Sequence, residues 1–310
     1  MNDRRWFHAV CCLAYLLIVL FLVGGVGCSS SPTVQDRSDT DEEFERTSRA
    51  ARMAFDNGKL QQAVDLYNQA LERAYVLDDL NAIVDSKYNL AVCLTKLGLY
   101  GQALEQVNQA KAELDRTNRS IPADILLLEA TIVYRMDELD NAWQLTEMIL
   151  LDASRLSGAV QSKTHFLRGL IAGERENINQ LRKEIASLGE PSTVGLRADR
   201  AELMGRLAMA ESNWNEAIEA FDRTAELRRD DFDYSEMVNA LALAAWVCEQ
   251  AGKLSEASKR YLRAGRSAAQ QGENHNASNW LNRAEKLAGE AGDESTAKQA
   301  RTYRKWLEKP

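Results

Sequence analysis

One sequence pattern returns along this chain at a nearly constant spacing, and it constrains the fold more than any other feature. A turn residue, often glycine, is followed by a short spacer, an alanine, an aromatic or aliphatic residue four positions later, and a small or apolar residue three positions beyond that. We call the alanine position the anchor, and it recurs every 36 to 40 residues. The anchors are Ala63, Ala103, Ala142, Leu181, Ala217, Ala257 and Ala297. Such a period indicates repeated structural units that stack on their neighbours.

The spacing inside each copy is that of one face of an α-helix. Ala63, Tyr67 and Ala70 stand at the anchor, four and seven positions on, and therefore share one side of a helix. Twelve residues before six of the anchors stands another small residue, which indicates the facing helix of a closely packed pair. These residues are Ala51, Ala91, Ala130, Gly169, Gly205 and Ala245. No segment alternates as a strand does, so the pattern predicts an all-α chain of about seven helix pairs.

The copies resemble tetratricopeptide repeats, which are helix–turn–helix units of about 34 residues. The clearest copies span residues 58–70, 98–110, 213–224 and 252–264, whereas those around Leu181 and Ala297 match poorly. The period here is longer, which implies longer helices or longer connections. The resemblance implies a curved solenoid whose inner face is formed by the first helix of each pair. In this family, short peptides or partner helices bind on that inner face.

This resemblance defines a candidate groove beside the small residues of the first helices. Its members combine aromatic, aliphatic and cationic side chains, a mixture that suits an extended or helical peptide with apolar anchors. The candidate residues are Arg52, Phe55, Tyr88, Leu127, Tyr134, Phe166, Leu170, Arg206 and Trp246. The alternative is that the aromatic members pack as core between neighbouring repeats.

The start of the chain has the order of residues found in secretory signals. Arg4 and Arg5 precede an uncharged apolar segment, after which Gly25, Val26 and Gly27 lead into Cys28. This resembles a bacterial lipoprotein signal, although that family usually has leucine where Gly25 stands. The resemblance implies that Cys28 is lipidated and becomes the first residue of the mature protein.

The leader also sets expectations for domains and location. We expect residues 1–27 to be a cleaved signal peptide, 28–42 a disordered tether, and 43–310 the repeat domain. Ser29 after the cysteine resembles outer-membrane sorting in enteric lipoproteins, so the expected location is the outer membrane, facing the periplasm. The alternative is an uncleaved helix over residues 9–26, which is just long enough to span a bilayer.

The remaining features argue against catalysis and nucleic-acid binding. A net charge of −8 repels nucleic-acid phosphates. The sequence contains no nucleotide-binding glycine motif, zinc-protease motif or serine nucleophile elbow, and no metal-ligand spacing. Cys93 and Cys248 are expected to be buried thiols that do not pair, because segments so far apart in a solenoid should not touch. No cofactor, metal or small-molecule substrate is expected.

The sequence therefore predicts a membrane-anchored scaffold, not an enzyme, that holds a protein or peptide partner of an envelope assembly. Tetratricopeptide lipoproteins that resemble this chain serve outer-membrane protein insertion, pilus assembly and cell-wall enzyme complexes, and the sequence does not choose among them. One alternative is an inner-membrane-anchored periplasmic helper that holds secreted chains. An envelope hydrolase is a further alternative, disfavoured by the missing motifs.

Overall fold

The computed structural model describes residues 41–307, and the chain from Glu43 onward forms one compact unit. Within the described range the protein consists of fourteen α-helices and one short 3₁₀ turn, without a strand. None of these helices is both long and apolar enough to cross a membrane. The predicted cleavage site, the lipidated Cys28 and most of the tether lie outside the described residues and stay predictions.

The helices are numbered α1 to α14 along the chain. They are α1 Glu42–Asp56, α2 Leu60–Val76, α3 Leu80–Lys96, α4 Tyr100–Arg116, α5 Ala123–Arg135, α6 Leu139–Leu150, α7 Gly158–Glu174, α8 Ile178–Ser187, α9 Val194–Ala210, α10 Trp214–Asp230, α11 Tyr234–Gln250, α12 Leu254–Gln270, α13 Asn274–Glu290 and α14 Glu294–Leu307. The 3₁₀ turn, Ala153–Arg155, lies between α6 and α7.

The fourteen helices form seven consecutive pairs, which confirms the prediction of an all-α repeat. Every anchor lies in the second helix of its pair, and every anchor side chain is at most 4 % exposed. The small residues twelve positions earlier lie in the first helices and are also buried. The close approach of the two helices in each pair follows from these two small, buried faces.

The 40-residue period has a simple structural origin in the regular pairs. A pair such as α9 and α10 has two helices of 17 residues, and each is followed by a three-residue connection. The extra residues relative to the usual repeat therefore lengthen the helices. The central pairs are less regular, because α5, α6 and α8 have only 13, 12 and 10 residues.

Each connection ends a helix sharply, as the turn between α11 and α12 shows. Gly252 adopts a φ of 71°, which costs glycine little because it has no Cβ atom. The backbone N–H of Lys253 donates to the carbonyl oxygen of Cys248 at 2.8 Å, and that of Gly252 donates to the carbonyl oxygen of Glu249 at 3.0 Å. The last carbonyl groups of α11 are thereby paired before the chain reverses into α12.

Two prolines mark the starts of helices, and the two described cysteines are buried, as expected. Pro122 directly precedes α5, and Pro191 precedes α9, whose first turn is capped by the Thr193 hydroxyl accepting from the Leu196 N–H at 3.2 Å. Cys93 and Cys248 are buried and free. Burial raises the pKa of each thiol to about 11, so both stay protonated near neutral pH.

His165 has a structural partner between α7 and α8. Its Nδ1 lies 2.6 Å from Oε2 of Glu184, and Nε of Arg168 donates to Oε1 of the same carboxylate at 2.9 Å. Burial pushes the pKa of Glu184 up, but hydrogen bonds from His165, Arg168 and Gln180 outweigh burial and hold it below the ordinary value. These contacts join α7 to α8, which is the shortest α-helix of the described chain, with 10 residues.

Gly265 lies inside a helix at a place where two helices approach too closely for a side chain. A Cβ atom on Gly265 of α12 would lie 2.7 Å from Cγ of Leu281 and 3.1 Å from the carbonyl oxygen of Ala277, both on α13. Leu281 is fully buried and cannot move aside freely. Gly289, also helical, has no neighbour within 4 Å of such an atom.

We expect alanine to have opposite effects at these two positions. Gly265→Ala should lower the free energy of unfolding by about 1–3 kcal/mol, because it overpacks the α12–α13 contact. Gly289→Ala should raise it by about 0.5–1 kcal/mol, because alanine favours the helix and meets nothing. Urea unfolding of the full-length protein followed by circular dichroism measures both changes. Shifts of the same sign would contradict this account of the packing.

Candidate binding cavity

The inner face of the array encloses a cavity of about 710 Å³. Its wall comes mainly from α3, α5, α7, α9, α11 and α13, which are the first helices of six consecutive pairs. Arg228 of α10 and Tyr261 of α12 complete the wall. The geometry therefore gathers side chains from residue 88 to residue 280 around one space.

The structure brings together seven of the nine residues predicted for the groove. The seven that line the cavity are Tyr88, Leu127, Tyr134, Phe166, Leu170, Arg206 and Trp246. The other two, Arg52 and Phe55, lie on α1 and do not line it. Phe55 packs against the core of the first two pairs, and the ammonium group of Lys96 lies 5.7 Å from the centre of its ring. A role of these nine residues in binding stays a prediction.

The apolar part of the wall is half-buried. Tyr134 and Phe166 pack against the core cluster formed by α7, α8 and α9, and Leu170 belongs to that core. Burial raises the pKa of the Tyr134 phenol, so the hydroxyl stays protonated near neutral pH. Trp246 is more open, with 41 % of its surface exposed. Each of these side chains thus shows part of an apolar surface to the cavity while its neighbours hold it in place.

Of the charged residues that share this wall, the sequence analysis predicted only Arg206. Four unpredicted polar or charged residues extend the predicted face by one helical turn, since each stands six positions before the small residue of its helix. Residues at that position that line the cavity are Asp124, Lys163, Asp199 and Asn239. The same register, applied to every first helix, would have found them.

A buried ion network forms the floor of the cavity. Asp199 of α9 is fully buried, and its carboxylate lies 2.7 Å from Nη2 of Arg228 and 2.6 Å from Nζ of Lys163. Glu202 pairs with Arg206 at 3.2 Å. Burial lowers the pKa of Arg228, but Asp199 and Glu202 outweigh burial and hold it above the ordinary value, so the cation persists.

Two ion pairs close the array across the cavity. Nζ of Lys96 on α3 lies 3.3 Å from Oδ1 of Asp233, at the start of α11. Nη2 of Arg135, the last residue of α5, lies 3.2 Å from Oε1 of Glu236 on α11. The expectation that segments so far apart do not touch is therefore wrong, because the array curves so that α11 contacts the second and third pairs. Cys93 and Cys248 remain free all the same.

Comparisons with known proteins give a fold likeness. No protein-family model matches the sequence, and no curated protein matches it. The apo form of RapI has a TM-score of 0.53 at 9 % identity, with 85 % of this chain and 76 % of that chain covered. A Rap protein complexed with competence and sporulation factor has a TM-score of 0.52 at 12 % identity, covering 86 % and 98 %.

A tetratricopeptide repeat protein from Parabacteroides merdae is also similar, with a TM-score of 0.46 at 15 % identity and coverage of 84 % and 99 %. Identities this low show likeness of fold alone. The described chain is an all-helical solenoid of helix–turn–helix pairs, as the repeat pattern predicted.

Proposed function

We propose that this protein is a binding scaffold, without catalytic activity, that holds a peptide or a segment of a partner protein in the cavity. The observation that carries this proposal is the cavity itself. First helices of six pairs contribute aromatic and aliphatic side chains to one space of about 710 Å³. Partly exposed aromatic side chains held by a rigid wall are the groups that contribute most to protein recognition.

The fold also supports the proposal of a binding scaffold. A Rap protein with a similar fold was solved in complex with competence and sporulation factor. We propose that the partner of the present chain belongs to an assembly of the bacterial cell envelope. That part of the proposal rests on the leader sequence before Cys28.

Removing the aromatic wall should abolish capture of the partner. The double variant Tyr134→Ala/Phe166→Ala should weaken binding at least about 30-fold, because the loss of even one aromatic group at the centre of an interface costs about 2 kcal/mol or more. The partner is first isolated from detergent-solubilised envelopes with the full-length protein. Its affinity for the wild type and the variant is then measured with purified components.

A matched control separates the cavity from general loss of aromatic surface. Tyr75 lies on α2, is half exposed and does not line the cavity, so Tyr75→Ala should bind as the wild type does. Circular dichroism must show that all variants keep their helices. A folded double variant that retains full affinity would exclude this cavity as the binding site.

We further propose that a lipid on Cys28 anchors the protein in the outer membrane, facing the periplasm. Cys28→Ser should move the protein out of the membrane fraction or leave it as an unprocessed precursor, because serine cannot take the thioether-linked lipid. Cys12→Ser changes another thiol of the leader and should leave fractionation unchanged. A Cys28→Ser protein that stays in the membrane fraction and has the same size as the wild-type protein would exclude the lipid anchor.

A further inference from the structure

The cations that line the cavity are already neutralised by carboxylates of the protein itself. Each of the five has a carboxylate partner at 2.6 to 3.3 Å. The pairs are Lys96 with Asp233, Arg135 with Glu236, Lys163 with Asp199, Arg206 with Glu202, and Arg228 with Asp199. Asp199 serves two of these cations, and Glu174, 3.1 Å from Arg206, is the fifth carboxylate of the set. A ligand carboxylate would have to displace one of these partners and leave it unpaired in a half-buried space. An acidic segment therefore gains little from these cations.

One carboxylate of the cavity differs from the others. Asp124, in the first turn of α5, is exposed and has no basic partner among residues 41–307. It lines the cavity together with Tyr88 of α3, and, after burial, its negative charge contributes to raising the pKa of that phenol. A carboxylate beside an aromatic ring attracts an ammonium or guanidinium group, through an ion pair and through the face of the ring.

Large apolar side chains of α11 and α13 also line the cavity. Trp246 on α11 and Trp280 on α13 both line it, and Leu243 lies one turn before Trp246. Trp280 is partly buried against the core of the last pairs, so its position is fixed. An aromatic or aliphatic side chain of a ligand can be buried against these two indole rings.

We infer that the segment held in the cavity is mainly apolar and carries a Lys or Arg side chain. Asp124 and Tyr88 hold this basic group, and Trp246 and Trp280 hold an apolar side chain. The inference rests on the proposed function and adds the chemistry of the bound segment. Acidic segments are disfavoured, because carboxylates of the protein already pair with the cations.

A random dodecapeptide library displayed on phage tests this chemistry with the full-length protein in detergent. Peptides that depend on the cavity are those enriched on the wild type over the Tyr134→Ala/Phe166→Ala variant. They should combine aromatic or aliphatic residues with a basic residue and be depleted in Asp and Glu. Asp124→Asn should lose the preference for a basic residue and keep the preference for apolar residues. Asp115→Asn removes an exposed carboxylate of α4, away from the cavity, and should select the same peptides as the wild type.

The affinity of one selected peptide makes the test quantitative. Fluorescence anisotropy should show Kd raised about fivefold by Asp124→Asn, the range for one partly exposed ion pair, and unchanged by Asp115→Asn. Replacing the basic residue of the peptide by Glu should weaken binding to the wild type and to Asp115→Asn. The same replacement should weaken binding to Asp124→Asn less, because that variant lacks the carboxylate that repels Glu.

The outcomes separate the inference from the function on which it rests. Cavity-dependent peptides that are rich in Asp and Glu, or a Kd that Asp124→Asn leaves unchanged, overturn the inferred chemistry while peptide binding stands. A selection in which no peptide is enriched over the double variant overturns the proposed function, and the inference with it.

Discussion

Replacing Arg228 by methionine is expected to destabilise the folded protein by about 3 kcal/mol. Arg228 donates to the carboxylate of Asp199, which is 0 % exposed, and methionine keeps most of the volume while removing the charge. Loss of one partner from a buried ion pair typically costs about 3–5 kcal/mol, because the other charge is left uncompensated. The lower end applies here, since Lys163 still lies 2.6 Å from Asp199.

The measurement is the midpoint of urea unfolding, followed by circular dichroism and by tryptophan fluorescence. Two probes are needed because long repeat arrays need not unfold in a single step. Arg223→Met on the same helix is the matched control. Its partner Glu226 lies 3.2 Å away, but both side chains are more than half exposed, so less than about 1 kcal/mol is expected. Equal shifts for the two variants would show that the network on the cavity floor does not stabilise the array.

The double variant Asp199→Asn/Arg228→Met tests the reason for the effect. If the cost arises from an uncompensated buried carboxylate, neutralising that carboxylate should recover part of the lost stability. If Asp199→Asn lowers the stability of the Arg228→Met variant as much as it lowers that of the wild type, the two groups act independently.

The repeat could be predicted from the sequence because its physical basis is local. Small anchors such as Ala63 and Ala217 are required wherever two helices approach closely, and their spacing reports the length of a helix pair directly. Even the poorly matching copy at Leu181 was placed correctly, because a buried apolar residue is needed there although alanine is not.

Part of the cavity could be predicted in the same way. Positions three before and one after the small residue of each first helix, such as Phe166 and Leu170, do line the inner face. The position four after it contributes only Tyr134, since Phe55 and Met209 pack into the core between pairs. The face turned toward the cavity is therefore shifted by about one turn toward the start of each helix.

The contact between distant helices that closes the array could not be predicted from local sequence patterns. The pairing of Lys96 with Asp233 depends on the sum of small rotations over several pairs, and those rotations are set by contacts between helices. The shorter helices α5, α6 and α8 lie in this path, and no periodic pattern specifies their effect on curvature. Two of the five ion pairs on the cavity wall, Lys96 with Asp233 and Arg135 with Glu236, depend on this closure, and therefore only the structure shows them.

Replacing Phe221 by alanine should cost about 3–5 kcal/mol of unfolding free energy. Phe221 stands four residues after the anchor Ala217 on α10, and its side chain is 0 % exposed. Its ring packs against Gly205 of α9, where a Cβ atom would lie 3.0 Å from two ring carbons. Urea unfolding measures the loss. Tyr234→Ala removes an aromatic side chain that is half exposed and should cost less than about 1 kcal/mol.

The fit between Gly205 and Phe221 should appear as a coupling between the two positions. Gly205→Ala should destabilise the wild type, because its methyl group meets the ring, but should cost less or even stabilise when Phe221 is replaced by leucine, which is smaller and flexible. The double-mutant cycle should therefore show an interaction of about 1–2 kcal/mol between two residues sixteen positions apart. Additive effects would mean that the small residue of the first helix and the large residue of the second are not matched to each other. A measured coupling would show that the repeat encodes this match, in which a glycine on one helix makes room for an aromatic ring on the next.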